Sequence, residues 1–328
     1  MAVKLGVIGT GTVAQDYHLK RWHDLKGAQV TAVCDLDRAK AEAVGARLGA
    51  KVYDSHRSLI EEADVDALYI FVPPFAHTDQ ELLACRRKLP FFVEKPIALS
   101  MEKAREIEAA VRESGVITSV GYNWRYMRTT NTAREIVGNA KVGIIMGYWF
   151  NELHTQKDHW WNKMALSGGQ MVEQATHIVD LLRYFGGDAA SVYARQARRL
   201  VDVEDFDIYD VANVTVEFES GAVGTISTGC VMPQGWKAGI EVQADGVMFE
   251  LTPGKLRVTK PDVVEEYITS WHPLQNEYLI ESQAFVDAVA SGDRTAIKSP
   301  YADAVKTLAI SLAANESART GKVVALRQ

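Results

Sequence analysis

Cysteine is scarce in this sequence. Its 328 residues include three cysteines, Cys34, Cys85 and Cys230, and no two of them form a C-x-x-C pair. Disulfide frameworks and structural zinc sites both need closely grouped cysteines, so this spacing argues against either. We therefore expect the three thiols to behave as small buried apolar side chains.

Long apolar runs and an excess of basic residues are absent too. No apolar run reaches the roughly 18 residues that a membrane-spanning helix needs. No basic stretch precedes the first apolar segment at Val3, which argues against a secretory leader. The net charge is −6, without the basic stripe typical of nucleic-acid binding. These absences predict a cytoplasmic protein that binds neither membrane nor nucleic acid.

Residues 1–121 alternate short apolar runs with helical patterns. The runs predict buried parallel strands at Val3–Ile8, Gln29–Cys34, Ala67–Val72, Phe91–Val93 and Val116–Val120. Helical patterns lie near Val13–Leu25, Arg38–Leu48, Ser55–Glu62, His77–Arg87 and Met101–Ser114. This order predicts an α/β domain of the Rossmann type, a doubly wound parallel sheet covered on both faces.

Residues 122–328 show a different pattern, with apolar and polar positions alternating in most segments. Strands are predicted at 141–153, 191–199, 208–218, 222–230, 239–244, 247–251 and 256–258, and helices at Gly169–Phe185, Leu274–Ser291 and Tyr301–Thr320. We expect a second, α+β domain with a large, mostly antiparallel open sheet. Helices on one face of such a sheet leave the other for a partner, which predicts a homodimer or homotetramer packed through this sheet.

A glycine-rich turn follows the first predicted strand. Gly9, Gly11 and Ala14 form G-x-G-x-x-A, with Thr10, Thr12 and Val13 between them. In dinucleotide-binding folds the first glycine permits a tight turn, the second lets the backbone approach a pyrophosphate, and the third small residue lets helix and strand pack closely. The turn therefore predicts a dinucleotide site, although an isolated match can be an ordinary glycine turn.

Asp35 ends the second predicted strand, 26 positions after Gly9. An acid at this place hydrogen-bonds the ribose hydroxyls and repels a 2′-phosphate, which favours NAD over NADP. Arg38 either accommodates such a phosphate or is a solvated charge on the helix surface.

Glu94 and Lys95 follow the buried strand Phe91–Val93, and Pro96 restricts Lys95 to an extended backbone. Ligands in doubly wound sheets bind beyond the carboxyl ends of the strands, so both charges are expected to face the cofactor. Lys95 is then a candidate for holding or relaying a proton. The alternative is a salt bridge between neighbouring charges at the strand end.

Glu173, His177 and Asp180 lie in the predicted helix Gly169–Phe185, at spacings of four and three residues that share one helix face. A carboxylate can orient an imidazole, which titrates near neutral pH and suits a general base. The alternative is a surface pair without chemistry. The apolar Met171, Ile178, Leu181 and Leu182 are expected in the core. His154 and His159 are five apart without a third ligand, so no metal site is expected.

Several segments recur in one known family. They are G-T-G-T-V-A at 9–14, V-P-P-F-A-H at 72–77, V-E-K-P at 93–96, G-Y-N-W-R-Y at 121–126, Trp161-Asn162, Ser167-Gly168-Gly169, and the tail patterns Glu281…Phe285…Ala288…Gly292 and Ala313…Ser317…Thr320-Gly321. Through them the sequence resembles the Gfo/Idh/MocA oxidoreductases, which include inositol, glucose–fructose and related sugar dehydrogenases. The resemblance covers essentially the whole chain.

The resemblance implies a catalytic set of lysine, acid and histidine. Lys95 and His177 match it, whereas Glu173 and Ala175 depart from the usual D-x-G-x-H. Further cofactor contacts are implied at Val72, Pro73, His77, Glu94, Lys95 and Trp161, the last being alternatively a buried loop anchor. Substrate contacts are expected at Lys95, Tyr122, Asn123, Arg125, His154, Lys163 and His177. Arg125 could instead pair with a structural acid, and His154, Lys157 and His159 could instead lie on a solvated loop.

These features together predict an NAD-dependent dehydrogenase that acts on a secondary alcohol of a sugar, cyclitol or related polyol. Two alternatives stay open. One is an NAD-binding regulator without turnover. The other is a sugar lyase or epimerase that uses NAD transiently and returns the hydride.

Overall fold

The computed structural model describes residues 2–153, 159–269 and 273–326. The chain divides into two compact units. The first comprises Met1–Ala98, Glu102–Tyr126 and Leu274–Val305, and the second comprises Leu99–Met101, Met127–Pro273 and Lys306–Gln328. The domain boundary between residues 121 and 122 stays a prediction.

The first sheet has six strands, all parallel: β1 (Val3–Ile8), β2 (Ala28–Cys34), β3 (Lys51–Val52), β4 (Ala67–Ile70), β5 (Phe91–Val93) and β6 (Thr118–Val120). Their order is β3-β2-β1-β4-β5-β6. The strand order reverses between β1 and β4, where ligands of doubly wound sheets bind. The predicted Rossmann arrangement is confirmed.

The second sheet has nine strands: β7 (Val142–Glu152), β8 (Ala189–Ala197), β9 (Val211–Phe218), β10 (Val223–Met232), β11 (Trp236–Ala244), β12 (Val247–Thr252), β13 (Lys255–Lys260), β14 (Val263–Ile268) and β15 (Val324–Ala325). Their order is β14-β13-β12-β11-β7-β10-β9-β8-β15. Every pair is antiparallel except β7 with β10. The predicted mostly antiparallel open sheet is confirmed.

Ten α-helices accompany the sheets in the described residues: α1 (Arg38–Leu48), α2 (His56–Glu62), α3 (Gln80–Arg86), α4 (Met101–Ser114), α5 (Arg128–Val137), α6 (Met164–Ser167), α7 (Gln170–Glu173), α8 (Thr176–Gly186), α9 (Pro273–Ser291) and α10 (Tyr301–Thr320). A π-helical turn at Ala14–His18 runs into a 3-10 helix at Leu19–Asp24. Short 3-10 turns lie at Pro74–Ala76, Asn123–Tyr126 and Trp160–Asn162.

The core of the first unit joins distant parts of the chain. Apolar residues of β1 and β2, such as Leu5 and Val30, cluster with Phe285, Val286 and Ala288 of α9. Phe285 is fully buried. Burial of this kind supplies most of the favourable free energy of folding, so α9 completes a core whose strands lie far earlier in the sequence.

In the second unit α8 lies close against β7. A Cβ on Gly147 would come within 2.4 Å of Ile178 Cγ2 and 2.7 Å of Leu182 Cδ1, so a larger residue would push this helix off the strand. The predicted core residues Met171, Ile178, Leu181 and Leu182 are all buried. Side chains alternate along a strand, so Ile144, Met146, Tyr148 and Phe150 face away from α8.

Some predicted elements are wrong. The helix Gly169–Phe185 is interrupted at Gln174 and Ala175, and Val13–Leu25 is a π-helical turn followed by a 3-10 helix. Helix His77–Arg87 begins only at Gln80, and strand Val116–Val120 only at Thr118. The prediction also lacks β3, α5, α6, β14 and β15.

No helix within the described parts of the chain is long and apolar enough to cross a membrane.

Candidate active site

The turn after β1 is built on Gly9. Its φ is +91°, and a Cβ would come within 2.3 Å of the carbonyl oxygen of Phe71. Only glycine combines that backbone conformation with so close an approach. Gly9 thus shapes the turn through contacts inside the protein.

Gly11 differs from Gly9. Its φ is not in the left-handed region, and a Cβ there would meet none of the described protein atoms within 4 Å. Neither conformation nor internal packing requires glycine at this position. The third small residue, Ala14, is 1 % exposed and lies in the core of the first unit. The turn therefore fits a cofactor whose pyrophosphate approaches the backbone at Gly11.

Asp35 is tied to the same turn. Its Oδ2 accepts hydrogen bonds from the Thr10 N–H at 2.6 Å and from the Thr10 hydroxyl at 3.0 Å, and its Oδ1 accepts from the Asp37 N–H at 2.8 Å. The carboxylate remains partly exposed. It thus has a fixed orientation and spare lone pairs for ribose hydroxyls.

Arg38 lies on the surface of α1. Its guanidinium bonds to Glu42 at 2.8 Å and also to Asp54, and its side chain is 59 % exposed. The structure thus favours the surface-charge interpretation of Arg38.

Three large apolar side chains are exposed on the loops that follow β1, β2 and β4. Val13 is 43 % exposed, Leu36 99 % and Phe75 42 %. Single exposed apolar residues are common, but three on loops that follow neighbouring parallel strands suit the apolar faces of a dinucleotide. Sequence reasoning did not single out Leu36 or Phe75, although Leu36 follows Asp35 directly and Phe75 lies within the V-P-P-F-A-H segment.

His77 lies in the loop after β4, beyond the half-buried Val72 and Pro73. Its Nδ1 is 2.5 Å from Glu81 Oε1, and both side chains are almost fully buried. In the described structure its Nε2 is buried without a hydrogen-bond partner. His77 therefore retains one ring nitrogen suited to a polar ligand.

The two charges after β5, Glu94 and Lys95, differ in burial. Glu94 is 5 % exposed, its Oε1 lies 2.8 Å from His18 Nε2, and its Oε2 accepts from the Lys95 N–H at 3.0 Å. Lys95 is half-buried. Glu94 is therefore held inside the first unit, where it fixes the backbone of Lys95, and the structure gives it a partner other than a cofactor.

Tyr122, Asn123 and Arg125 are all buried, at 1 %, 1 % and 2 % exposure. Arg125 bonds to Asp303 at 2.7 Å and to the Lys298 carbonyl at 2.6 Å, which is the structural-acid alternative. Both amide atoms of Asn123 have no hydrogen-bond partner among the described residues. Asn123 therefore has polar atoms that a ligand could satisfy.

Further substrate contacts were predicted on both sides of the 3-10 turn Trp160–Asn162. His154 and Lys157 lie outside the described residues. His159 Nδ1 accepts from the Trp161 N–H at 3.3 Å, and Lys163 Nζ bonds to Asp205 Oδ1 at 3.0 Å. These contacts make His159 a cap of the turn and place Lys163 in a surface ion pair.

Glu173 and His177 stand on either side of the helix interruption. Glu173 ends α7 and is half-buried, whereas His177 is the second residue of α8 and 6 % exposed. Glu173 Oε2 accepts from Trp161 Nε1 at 2.7 Å. The His177 ring stacks on Trp149, with centroids 6.0 Å apart and planes at 22°. An acid and an imidazole are thus both held by aromatic residues.

Asp180 does not belong with this pair. Its Oδ1 accepts from the Thr307 hydroxyl of α10 at 2.9 Å in a buried contact. The predicted common helix face for Glu173, His177 and Asp180 is wrong, because the helix is interrupted between the first two.

Metal ligands do not gather in the part of the chain that the structure describes. No three His, Cys, Asp or Glu side chains there are arranged to hold an ion.

The chain matches known proteins over most of its length. Residues 3–122 match an oxidoreductase family with an NAD-binding Rossmann fold, and residues 130–250 match the GFO/IDH/MocA C-terminal domain. The scyllo-inositol 2-dehydrogenase (NAD(+)) of Bacillus subtilis is 28 % identical, over 99 % of this chain and 96 % of that protein. An uncharacterised protein of Schizosaccharomyces pombe is 33 % identical, over 80 % of this chain and 72 % of its own.

Solved structures share the fold. Levoglucosan dehydrogenase, in complex with NADH and L-sorbose, superposes with a TM-score of 0.90 at 18 % identity, covering 100 % of both chains. An oxidoreductase from Agrobacterium radiobacter, in complex with NAD+, L-tartaric acid and magnesium, gives 0.85 at 22 % identity, covering 99 % of this chain and 98 % of that one.

The Rossmann sheet, the glycine turn and the open second sheet define a nicotinamide-dependent oxidoreductase. The chain belongs to the GFO/IDH/MocA family of NAD-binding oxidoreductases. Its cofactor is NAD.

Proposed function

We propose that the protein oxidises a secondary alcohol of a sugar, cyclitol or related polyol. The observation that carries this is the acid and imidazole at the interruption between α7 and α8, Glu173 and His177, in an NAD-binding chain. A relative aligned over 99 % of the chain is named as an inositol dehydrogenase, which supports the substrate class.

Lys95, His177 and Glu173 have separate proposed roles. His177 accepts the proton of the substrate hydroxyl, Glu173 orients the imidazole, and Lys95 polarises the hydroxyl oxygen. Bound NAD supplies the acceptor for the hydride that leaves the carbon. The protein contributes position and electrostatics, and the bond from the Lys95 N–H to Glu94 fixes the backbone from which the lysine side chain extends.

The cofactor is proposed to bind along the loops after β1, β2 and β4. Its pyrophosphate would lie against the backbone of Gly9, Thr10, Gly11, Thr12, Val13 and Ala14, and its ribose hydroxyls on Asp35. Val72, Pro73, His77, Lys95 and Asn123 are further proposed contacts to cofactor or substrate. The support is the open position at Gly11 and the buried polar atoms of His77 and Asn123.

Absorbance of reduced nicotinamide tests this function directly. Wild-type protein with NAD is offered a panel of inositols, aldoses and linear polyols, in parallel with the Lys95→Ala and His177→Asn variants. We expect at least one substrate to be oxidised, and each variant to lose about 100-fold or more in kcat/KM. A larger loss in Lys95→Ala would make the lysine the proton acceptor.

Other outcomes would replace this function. Tight NAD binding with no turnover on any polyol would indicate a regulator. A product formed without net reduction of NAD would indicate a lyase or epimerase.

We further propose that the protein is a cytoplasmic homodimer or homotetramer packed through the second sheet. Three free thiols in the described structure, all buried, support a reducing compartment. The face of β7 that points away from α8 supports the assembly, because Met146 there is 38 % exposed and Tyr148 and Phe150 stack beside it with ring centroids 6.2 Å apart.

A further inference from the structure

Two tryptophans donate hydrogen bonds to the last residue of α7 and to the residue that follows it. Trp161 Nε1–H donates to Glu173 Oε2 at 2.7 Å, and Trp149 Nε1–H donates to the side-chain oxygen of Gln174 at 3.2 Å. The two acceptors are consecutive residues, whereas the donors come from β7 and from the turn Trp160–Asn162. Distant parts of the second unit thus converge on the interruption of the helix.

Trp149 also supports the imidazole. One contact of its ring is the His177 stack at 6.0 Å, and another is Trp236, 5.6 Å away with planes at 33°. The indole is fixed at its nitrogen by Gln174, so it cannot turn without losing that bond. The orientation of the His177 ring therefore depends on an indole that is itself held in place.

Trp161 is rigidly placed as well. It is 2 % exposed and packs in a cluster with Val201, Phe206, Ile208 and Cys230. The buried Asp210 secures the loop behind it, because its carboxylate accepts N–H bonds from Arg199, Leu200 and Val201. The N–H donor that faces Glu173 is thus anchored by a core and not by a mobile loop.

We propose that Trp161 and Trp149 are positioning residues for the acid and the base. Trp161 selects the rotamer of the Glu173 carboxylate through its indole N–H, and Trp149 sets the plane of the His177 ring. A glutamate has one more rotatable bond than an aspartate, so a fixed donor removes freedom that would otherwise misplace its charge. The role in turnover rests on the proposed function, whereas the hydrogen bond and the stack do not.

Trp161→Phe tests the hydrogen bond with little change in packing. We expect kcat to fall about ten- to a hundredfold, with the Kd of NAD unchanged within about twofold. Trp22→Phe is the matched control: Trp22 is buried in the core of the first unit, and its Nε1 has no hydrogen-bond partner among the described residues. We expect this control to keep wild-type kcat. Weaker NAD binding in Trp161→Phe at unchanged kcat would make Trp161 a cofactor contact and overturn the proposal.

Trp149→Phe tests the stack in the same assay. It keeps an aromatic face for His177 but removes the bond to Gln174, so we expect kcat to fall with little change in the KM of substrate. Unchanged kcat with a lower Tm would mean that Trp149 is only structural.

Indole NMR decides the hydrogen bond without any substrate. The seven tryptophans give seven 15N-labelled indole N–H signals. We expect the signal missing in Trp161→Phe to be the one that moves most in Glu173→Gln. If that signal stays in place, Trp161 does not hold Glu173, whether or not a substrate has been found. If it moves but no polyol is oxidised, the proposed function fails and the hydrogen bond stands.

Discussion

At the scale of single residues, the two glycines after β1 have different reasons to be glycine. The fold itself requires glycine at position 9, since both its φ of +91° and the nearby carbonyl of Phe71 exclude a side chain. At Gly11, by contrast, a Cβ would have no described protein atom within 4 Å. Internal packing and backbone conformation thus account for Gly9, whereas the reason for glycine at position 11 is the cofactor contact proposed above.

Substitution should separate these requirements. We expect Gly9→Ala to lower the free energy of unfolding by about 3 kcal/mol, from backbone strain and the close carbonyl. Gly11→Val should change it by about 0.5 kcal/mol or less, yet weaken NAD binding at least about tenfold. Urea denaturation and calorimetric titration with NAD give the two quantities. A stable Gly11→Val protein that binds NAD normally would disprove the cofactor role of this position.

The thiols give a second test at this scale. Burial raises the pKa of Cys34 to about 12, with the charge of Asp35 adding to it, and burial also raises the pKa of Cys230 to about 12 and that of Cys85. All three should stay protonated and unreactive toward a disulfide reagent near pH 8, and react after denaturation. Above about pH 8.5 the unfolded thiols ionise first, so stability should decline as the pH rises toward the folded values. Rapid reaction of any thiol in the native protein would contradict this.

At the scale of elements, α8 is tied to α10 by a buried polar contact. The Thr307 hydroxyl donates to Asp180 at 2.9 Å and accepts from Arg183 Nε at 3.1 Å. The carboxylate is thereby part of the structural framework of the second unit and not of the proposed chemistry.

Thr307→Val should reveal that framework. The shape of the side chain is kept, but two buried groups each lose a partner, so we expect a loss of about 1–3 kcal/mol in the free energy of unfolding. Thr295→Val, at an exposed position of the first unit, is the control, with an expected change of about 0.5 kcal/mol or less. Chemical denaturation measures both. A normal stability for Thr307→Val would contradict the structural role.

The elements also show where sequence patterns suffice. The strands of the first sheet are predictable because they are buried on both faces and read as continuous apolar runs. Helix α5 is not, because threonines, Thr129 and Thr130, occupy part of its buried face and hide the apolar stripe. Strand β14 is not predictable either, since all its residues are exposed or half-buried and buried and exposed positions do not alternate along it.

The residues of the candidate site also fall into a group that the sequence predicts and a group that it does not. Local motifs identify the glycine turn, Asp35, Lys95 and His177 as candidates. The supports of Glu173 and His177 come from Trp161 and Trp149, twelve and 28 residues away from the side chains they contact. Contacts across strands and loops leave no local periodicity, so sequence spacing instead suggested Asp180, on a continuous helix that the structure interrupts.

At the scale of the whole molecule, the proposed homo-oligomer can be tested at the open face of the second sheet. Met146 lies on the face of β7 opposite α8 and is 38 % exposed. A lysine there would place a charge within an interface core, which desolvation opposes.

We expect Met146→Lys to shift the protein from oligomer to monomer in sedimentation at micromolar concentration. Ile280→Lys is the control, since Ile280 is 49 % exposed and belongs to α9 of the first unit, not to the second sheet. Wild-type protein that sediments only as a monomer would refute the assembly.

The place of α9 in the first core has a consequence for synthesis on the ribosome. All six strands of the parallel sheet have been made by Val120, but Phe285 of their core follows more than 160 residues later. At the usual pace of translation this gap lasts on the order of ten seconds. During that interval the nascent sheet has an uncovered apolar surface, which is the kind of surface that chaperones bind. The core of the first unit therefore cannot be completed until long after its strands have been synthesised.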